Sequence, residues 1–445
     1  MVELSALSAL LFALTCGALA VKHSCVVGRV TLLDWTLLGA GGGYGLGWVV
    51  VVYTTISGDN PTWAPWILPY KSLYLLHTAC AVLLISGVLV GWNLRGSFYR
   101  QDSESHDADA DSLSKWSTAL WLCLAVALFS QVIYAKAYGG LSAQLDYSAA
   151  IRAGVFQNVP ENAFSFLSPI SKLAFVACFG FFGLLLSYTL RLQLLLGFCL
   201  AAALSFYVLY NSLWRLGIGA FLLTLIVTVL FAKHKSVLTH IAFLAVLGPS
   251  LLLALDALSN AMELKPSETT VAFIANELSF PFGSFFAQFE EGPNLFRGFI
   301  DVLLLPVYLL PSSIWGHLIE TCDQANTAVI MGAAKGESDV TAGIPVDIIT
   351  LGLMQAHIGG IVVVGGLFGW LLALLQGLLD KIHITGIRIA FEVNIGILVA
   401  AAGLFYAQPN LLVEQNVHWL VAGVVISGVF FLLKRANNAR RTTGR

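Results

Sequence analysis

Charge is what this sequence has least of. Asp, Glu, Lys and Arg make up 11% of its 445 residues, against about 25% in soluble domains, and that excludes a soluble globular chain. The seven cysteines contain no C-x-x-C pair, so neither a disulfide framework nor a zinc site is supported. Cys16, Cys80, Cys123, Cys178 and Cys199 fall inside apolar spans, and Cys322 in a polar insertion. Alternating strands of about 10 residues are absent, which excludes an outer-membrane barrel. No repeat of fixed period is visible. A net charge of −2, with no basic patch outside the carboxyl tail, indicates no nucleic-acid partner. The apolar first 21 residues open on an acid, Glu3, so no cleaved signal peptide is expected.

Apolar length is what the sequence has in plenty. Hydrophobic residues are 58% of the chain and the mean hydropathy is +0.83. Runs of roughly 20 apolar residues recur throughout, the signature of membrane-spanning helices. The expected fold is an all-α polytopic integral membrane protein of about eleven transmembrane helices: 4–21, 32–56, 72–92, 116–135, 173–190, 192–210, 216–232, 237–258, 350–379, 389–407 and 418–433. The basic tail KRANNARRTTGR places the carboxyl terminus in the cytoplasm and, by counting back, the amino terminus outside. The remaining loops agree: fifteen Lys and Arg fall inside and eight outside, although the outside loops are longer. This topology puts 136–172 and 259–347 on the external, periplasmic face. The acidic linker at 100–115, containing RQDSESHDADADS, has a disordered composition. GAGGGYGLG (39–47) follows no strand, so it reads as a helix-packing surface and not as a nucleotide loop.

The organisation expected is therefore helices in 1–258, a long external loop at 259–347 containing a re-entrant or interfacial helix, and helices with a cytoplasmic tail in 348–445. The loop concentrates the scarce charges: Glu277, Glu290, Glu291, Arg297, Asp301, Glu320, Asp323, Glu337 and Asp339. Ionisable groups gathered at one membrane face point to a site for a charged, hydrophilic substrate. Within it, FIDVLLLPVYLLPSSIWG (299–316) is apolar but broken by Pro306 and Pro311, and a helix lying in or dipping into the interface fits it better than a further span.

Arg215, in LYNSLWRLGIG, is either a bidentate clamp on phosphate oxygens or an arginine snorkelling to water. Arg297 either contacts phosphate or pairs with Glu290, Glu291 or Asp301. Glu277 precedes the aromatic, proline-containing patch SFPFGSFF, which has the character of a sugar-binding wall. Glu277 is a candidate general base on a sugar hydroxyl, with a helix cap as the alternative, and Glu290 and Asp301 are further candidates. His317 and His357 are each able to exchange a proton or donate to phosphate, or are structural. Glu392 is either a proton site within a span or the partner of Arg388 one turn away.

The stretch NELSFPFGSFFAQFEE…FRGFIDVLLLPVYLLPSSIWG, followed by GIPVDIITLGLMQAHIGGIVVVGGLFGWLL, resembles the carboxyl half of bacterial oligosaccharide repeat-unit polymerases of the Wzy type. The arginine in NSLWRLGIG matches that family's arginine in a polar break before a mid-chain span. The resemblance covers about residues 205–380. It implies polymerisation of undecaprenyl-pyrophosphate-linked oligosaccharide units at the outer face of the inner membrane. The partners implied are a lipid-linked donor and acceptor, the lipid bilayer, a chain-length regulator and a flippase. Carried over, Arg215 grips the donor pyrophosphate and Arg297 supports it. Where the family tends to have a basic residue after its "LW" run this chain has Gly316 and His317, and where many members have a carboxylate it has Gln355; no role passes to Gln355. Such a reaction needs cationic stabilisation of the leaving group and a base for the acceptor proton. No D-x-D sequence sits in the external loop, so metal independence and no cofactor are expected.

Two other readings stand beside this one. An O-antigen ligase uses the same donor with a different acceptor. A transporter or flippase has Glu392 in its favour, but no inverted repeat is evident and the ionisable residues gather at one face instead of the midplane.

Overall fold

A computed structural model describes the chain apart from residues 1, 61, 97–109, 154–158, 189, most of 235–269, 292–295, 311, 317, 334–339, 341–342 and 444–445. The protein is all-α, with no strand among the described residues. The principal helices are α1 (Val2–Val27), α2 (Leu32–Ser57), α3 (Tyr74–Gly96), α4 (Ala110–Lys136), α5 (Leu173–Ser187), α6 (Leu192–Asn211), α7 (Arg215–Lys233), α8 (Thr270–Glu291), α9 (Cys322–Met331), α10 (Ile348–Leu379), α11 (Thr385–Gly403) and α12 (Pro409–Thr443). Ten segments among the described residues are long and apolar enough to cross a membrane, so the chain is a polytopic membrane protein. The expected span at 237–258 and the acidic linker lie largely outside the described residues.

The chain divides into two compact units. One comprises Met1–Gln101, His234–Leu378 and Ile395–Leu412; the other comprises Asp102–Lys233, Leu379–Asn394 and Val413–Arg445. In the first, α2 passes through a π-helical turn at Gly41–Gly47. Its small residues let neighbours approach closely: a Cβ on Gly45 would come within 2.7 Å of Ala13 on α1. The second unit is built on α4, α5 and α6, with α7 alongside.

The segment read as a loop contains the 22-residue helix α8. Phe282, Phe285 and Phe286 recur at helical spacing and are at most 1% exposed. They pack on Trp48 (4.5 Å between ring centroids to Phe282) and on His77 (4.7 Å to Phe282, 5.0 Å to Phe285). Burying these rings, each worth roughly 1.5–3 kcal/mol, outweighs the helix-breaking tendency of Pro281. The aromatic patch is therefore core and not an open sugar-binding wall. Polar ties fix the rest of the insertion. Gln288 donates to Asn326 (3.0 Å), and Asn326 donates to Ser284 (3.1 Å) and to the Ile344 carbonyl (3.2 Å). The apolar run at 299–316 forms short helical pieces at Ile300–Leu303, Val307–Leu309 and Ser312–Trp315, with a turn over 304–306 at Pro306.

The segment expected as a single span at 350–379 is broken. Ala356 (φ −158°, ψ 44°) and His357 (φ 54°, ψ −151°) are non-helical. Nine residues of continuous helix rise about 13 Å, yet a Cβ on Gly352 would lie 2.6 Å from Cα of Ile361, and one on Gly360 would lie 2.1 Å from the Gly352 carbonyl oxygen. The chain therefore turns back at 356–357, and a short helix over 348–355 packs along the longer one that follows.

Candidate functional site

Both ends of the short helix are held by groups distant in sequence. At its start, Asp347 is fully buried and accepts from the backbone N–H groups of Ile349 (3.1 Å) and Thr350 (3.2 Å), an N-cap arrangement. The Tyr44 hydroxyl lies 2.8 Å from Oδ2 of Asp347 and 3.0 Å from the Leu404 carbonyl. Burial pushes the Asp347 carboxyl up to about 6, against the opposing pull of these hydrogen bonds. At the other end, the N–H of Arg297 donates to the Met354 carbonyl (2.9 Å) and that of Gly298 to the Gln355 carbonyl (3.0 Å), satisfying carbonyls that the helix end leaves open.

That same junction organises the charges. Arg297 donates from Nε to Oδ2 of Asp301 (2.6 Å) and from Nη2 to Oδ1 (3.0 Å). Nη2 also donates to the Glu320 carbonyl (2.6 Å), and Nη1 is 3.5 Å from a Glu320 carboxylate oxygen. Gln355 donates to Oδ2 of Asp301 at 2.8 Å. Burial works against the charge of Arg297, but the hydrogen bonds and charge of Asp301 outweigh it and raise the guanidinium above its ordinary value. Burial pushes the neighbouring Cys322 thiol well up, with Asp301 and Asp323 adding to the effect, and it also raises the Tyr308 phenol. These two groups stay neutral at physiological pH. Asp301 is fully buried and both its oxygens are occupied. It orients Arg297 and is not placed to take a proton from a substrate.

The structure brings Arg297, Asp301 and the break at His357 together. His357 is exposed, with its backbone in a region that favours glycine. Glu277 and Glu290 lie on α8, half-buried and exposed respectively. His317, Glu337 and Asp339 lie outside the described residues. Arg215 belongs to the other unit, where it is half-buried and opens α7 two residues after Leu213, a non-glycine residue at φ 49°. Glu392 is 6% exposed within that unit. Sequence reasoning missed Asp347, Tyr44 and the role of Gln355. Two signals were available: a 32-residue apolar segment is longer than the roughly 20 residues a bilayer requires, and Gln355 and His357 are polar interruptions in it.

Among the described residues no group of three or more His, Cys, Asp or Glu is placed to hold a metal ion. The chain matches no protein-family model, no curated protein and no solved structure.

Proposed function

We propose that this chain is a membrane glycosyltransferase that polymerises oligosaccharide repeat units carried on undecaprenyl pyrophosphate at the periplasmic face of a bacterial inner membrane. The acceptor sugar hydroxyl loses its proton to a base and attacks the anomeric carbon of the donor glycan. The bond from that carbon to the pyrophosphate oxygen breaks, and undecaprenyl pyrophosphate leaves with the electron pair. A metal-free enzyme requires fixed cations at that leaving oxygen. Arg215 is assigned the donor pyrophosphate. In the first unit, Arg297 is assigned a separate phosphate contact, with Asp301 as its positioning residue. Glu277, Glu290 and His317 are the candidates for the base.

The observation that carries this reading is the Arg297 guanidinium, locked by a buried carboxylate at the turn of a folded-back helix within the polar insertion. Pre-set orientation of this kind is what phosphate recognition needs. In cells whose surface polymer depends on this chain, Arg215→Ala leaves the protein in the membrane and reduces the glycan to single repeat units. Long chains surviving that substitution would contradict the proposal.

The broken α10 favours a second reading, a transporter or flippase, because interrupted helices with capped ends recur at transport sites. That reading expects ion-coupled movement of a polar substrate that fails in Glu392→Gln or Asp347→Asn. A ligase differs from the polymerase only in its acceptor, and supplying defined acceptors separates the two.

A further inference from the structure

The second unit holds a buried lysine that the reading above leaves unused. Lys172, which immediately precedes α5, is only 9% exposed. Its Nζ donates to Oε1 of Gln415 on α12 and stands 5.8 Å from the centroid of the Trp214 ring. Trp214 precedes Arg215 directly. Its indole is seated on Gly217, where a Cβ would come within 2.2 Å of the ring. His418, 4% exposed, interacts electrostatically with Lys172, and its Nδ1 has no hydrogen-bond partner among the described residues. Glu414 is the carboxylate that acts on Lys172.

A buried ammonium is costly unless it is well paired. Here its partners are a neutral amide, an aromatic face and one half-buried acid. The residues come from 172, 214–215 and 414–418, three segments that the charge pattern assigns to the same side of the bilayer. Lys172 stands over the ring of Trp214, the residue before Arg215 at the start of α7, and a lysine and an arginine flanking one indole at a helix start suit an anion carrying more than one charge, since the helix N-terminus adds its own positive end. We infer that Lys172 is a second phosphate-binding cation of the Arg215 site, packed on Trp214, and that the pair takes a diphosphate group. The inference rests on the reading of Arg215 as the donor grip.

The test uses the purified full-length protein in nanodiscs, a labelled isoprenyl pyrophosphate as probe and inorganic pyrophosphate as competitor. Lys172→Gln is expected to weaken probe binding about tenfold, the scale of one charge-assisted phosphate contact, while Lys172→Arg stays within about threefold. Glu414→Gln removes the competing acid and tightens binding severalfold. It also covers the case in which Lys172→Gln does not fold. Competition by inorganic pyrophosphate assigns the recognition to the phosphates and supports the inference, and its failure to compete even at millimolar concentration assigns binding to the prenyl chain and overturns it. Unchanged affinity in folded Lys172→Gln, or in Glu414→Gln, overturns the inference and makes Lys172 a structural strut. If Arg215→Ala then still loses the probe, the donor-grip reading survives. If the wild-type protein does not bind the probe, both fall.

Discussion

The guanidinium of Arg297 and the carboxylate of Asp301, four residues apart, form a two-point ion pair at 2.6 and 3.0 Å with the acid fully buried. Removing one member of a buried pair strands the other charge, which costs about 3–5 kcal/mol. Asp301→Asn is therefore expected to lower the melting temperature in detergent markedly. The double substitution Arg297→Met with Asp301→Leu is expected to cost less than Asp301→Asn alone. Equal melting of Asp301→Asn and wild type would show that the pair contributes nothing to the fold.

The folded-back α10 depends on two glycines at one crossing. Gly352→Val and Gly360→Val each place atoms where backbone already lies, and both are expected to abolish a monodisperse protein in size-exclusion chromatography. Gly359→Ala meets nothing within 4 Å and is expected to behave as wild type. A stable Gly352→Val protein would mean that the two segments do not pack as described.

His357 stores strain at the turn. Its backbone (φ 54°, ψ −151°) lies where non-glycine residues cost about 1–3 kcal/mol. His357→Gly is expected to raise the melting temperature. If the imidazole contacts substrate, the same variant also loses activity, so that stability and activity move in opposite directions.

Much of the architecture was legible because bilayer physics is strict: apolar runs such as 116–135 and 192–210 coincide with α4 and α6. α8 was obscured by Pro281 and by the charges of Glu277 within it and Glu290 near its end, although Phe282, Phe285, Phe286 and Phe289 carry helical spacing. The break in α10 was hidden because residues on both sides are equally apolar and no proline marks it. Asp301 was legible only as one of three possible partners of Arg297, beside Glu290 and Glu291, because nearby acids of one loop compete equally on paper. The Tyr44–Asp347 contact joins residues 303 apart in sequence, and no local pattern reports such a meeting. Glycines beside Tyr44 read as packing, which they also are.

Asp347 gives stability a pH dependence. Its folded value of about 6 lies above the ordinary 3.8, so the folded state holds the proton more tightly than the unfolded one. Its contribution is fully present below 3.8 and is lost as pH rises towards about 6. Melting temperatures from pH 4 to 7 are expected to include this decline in wild type and to lack it in Asp347→Asn. Parallel profiles for the two proteins would contradict the assignment.

The most direct measurement reconstitutes the purified protein in liposomes with a synthetic undecaprenyl-pyrophosphate-linked repeat unit and no added metal, then follows chain length and released undecaprenyl pyrophosphate together. A polymerase lengthens the glycan and releases one lipid pyrophosphate per bond formed, and Arg215→Ala abolishes both. Intact single units beside an active, correctly inserted protein, or lengthening that persists in Arg215→Ala, would contradict the proposal.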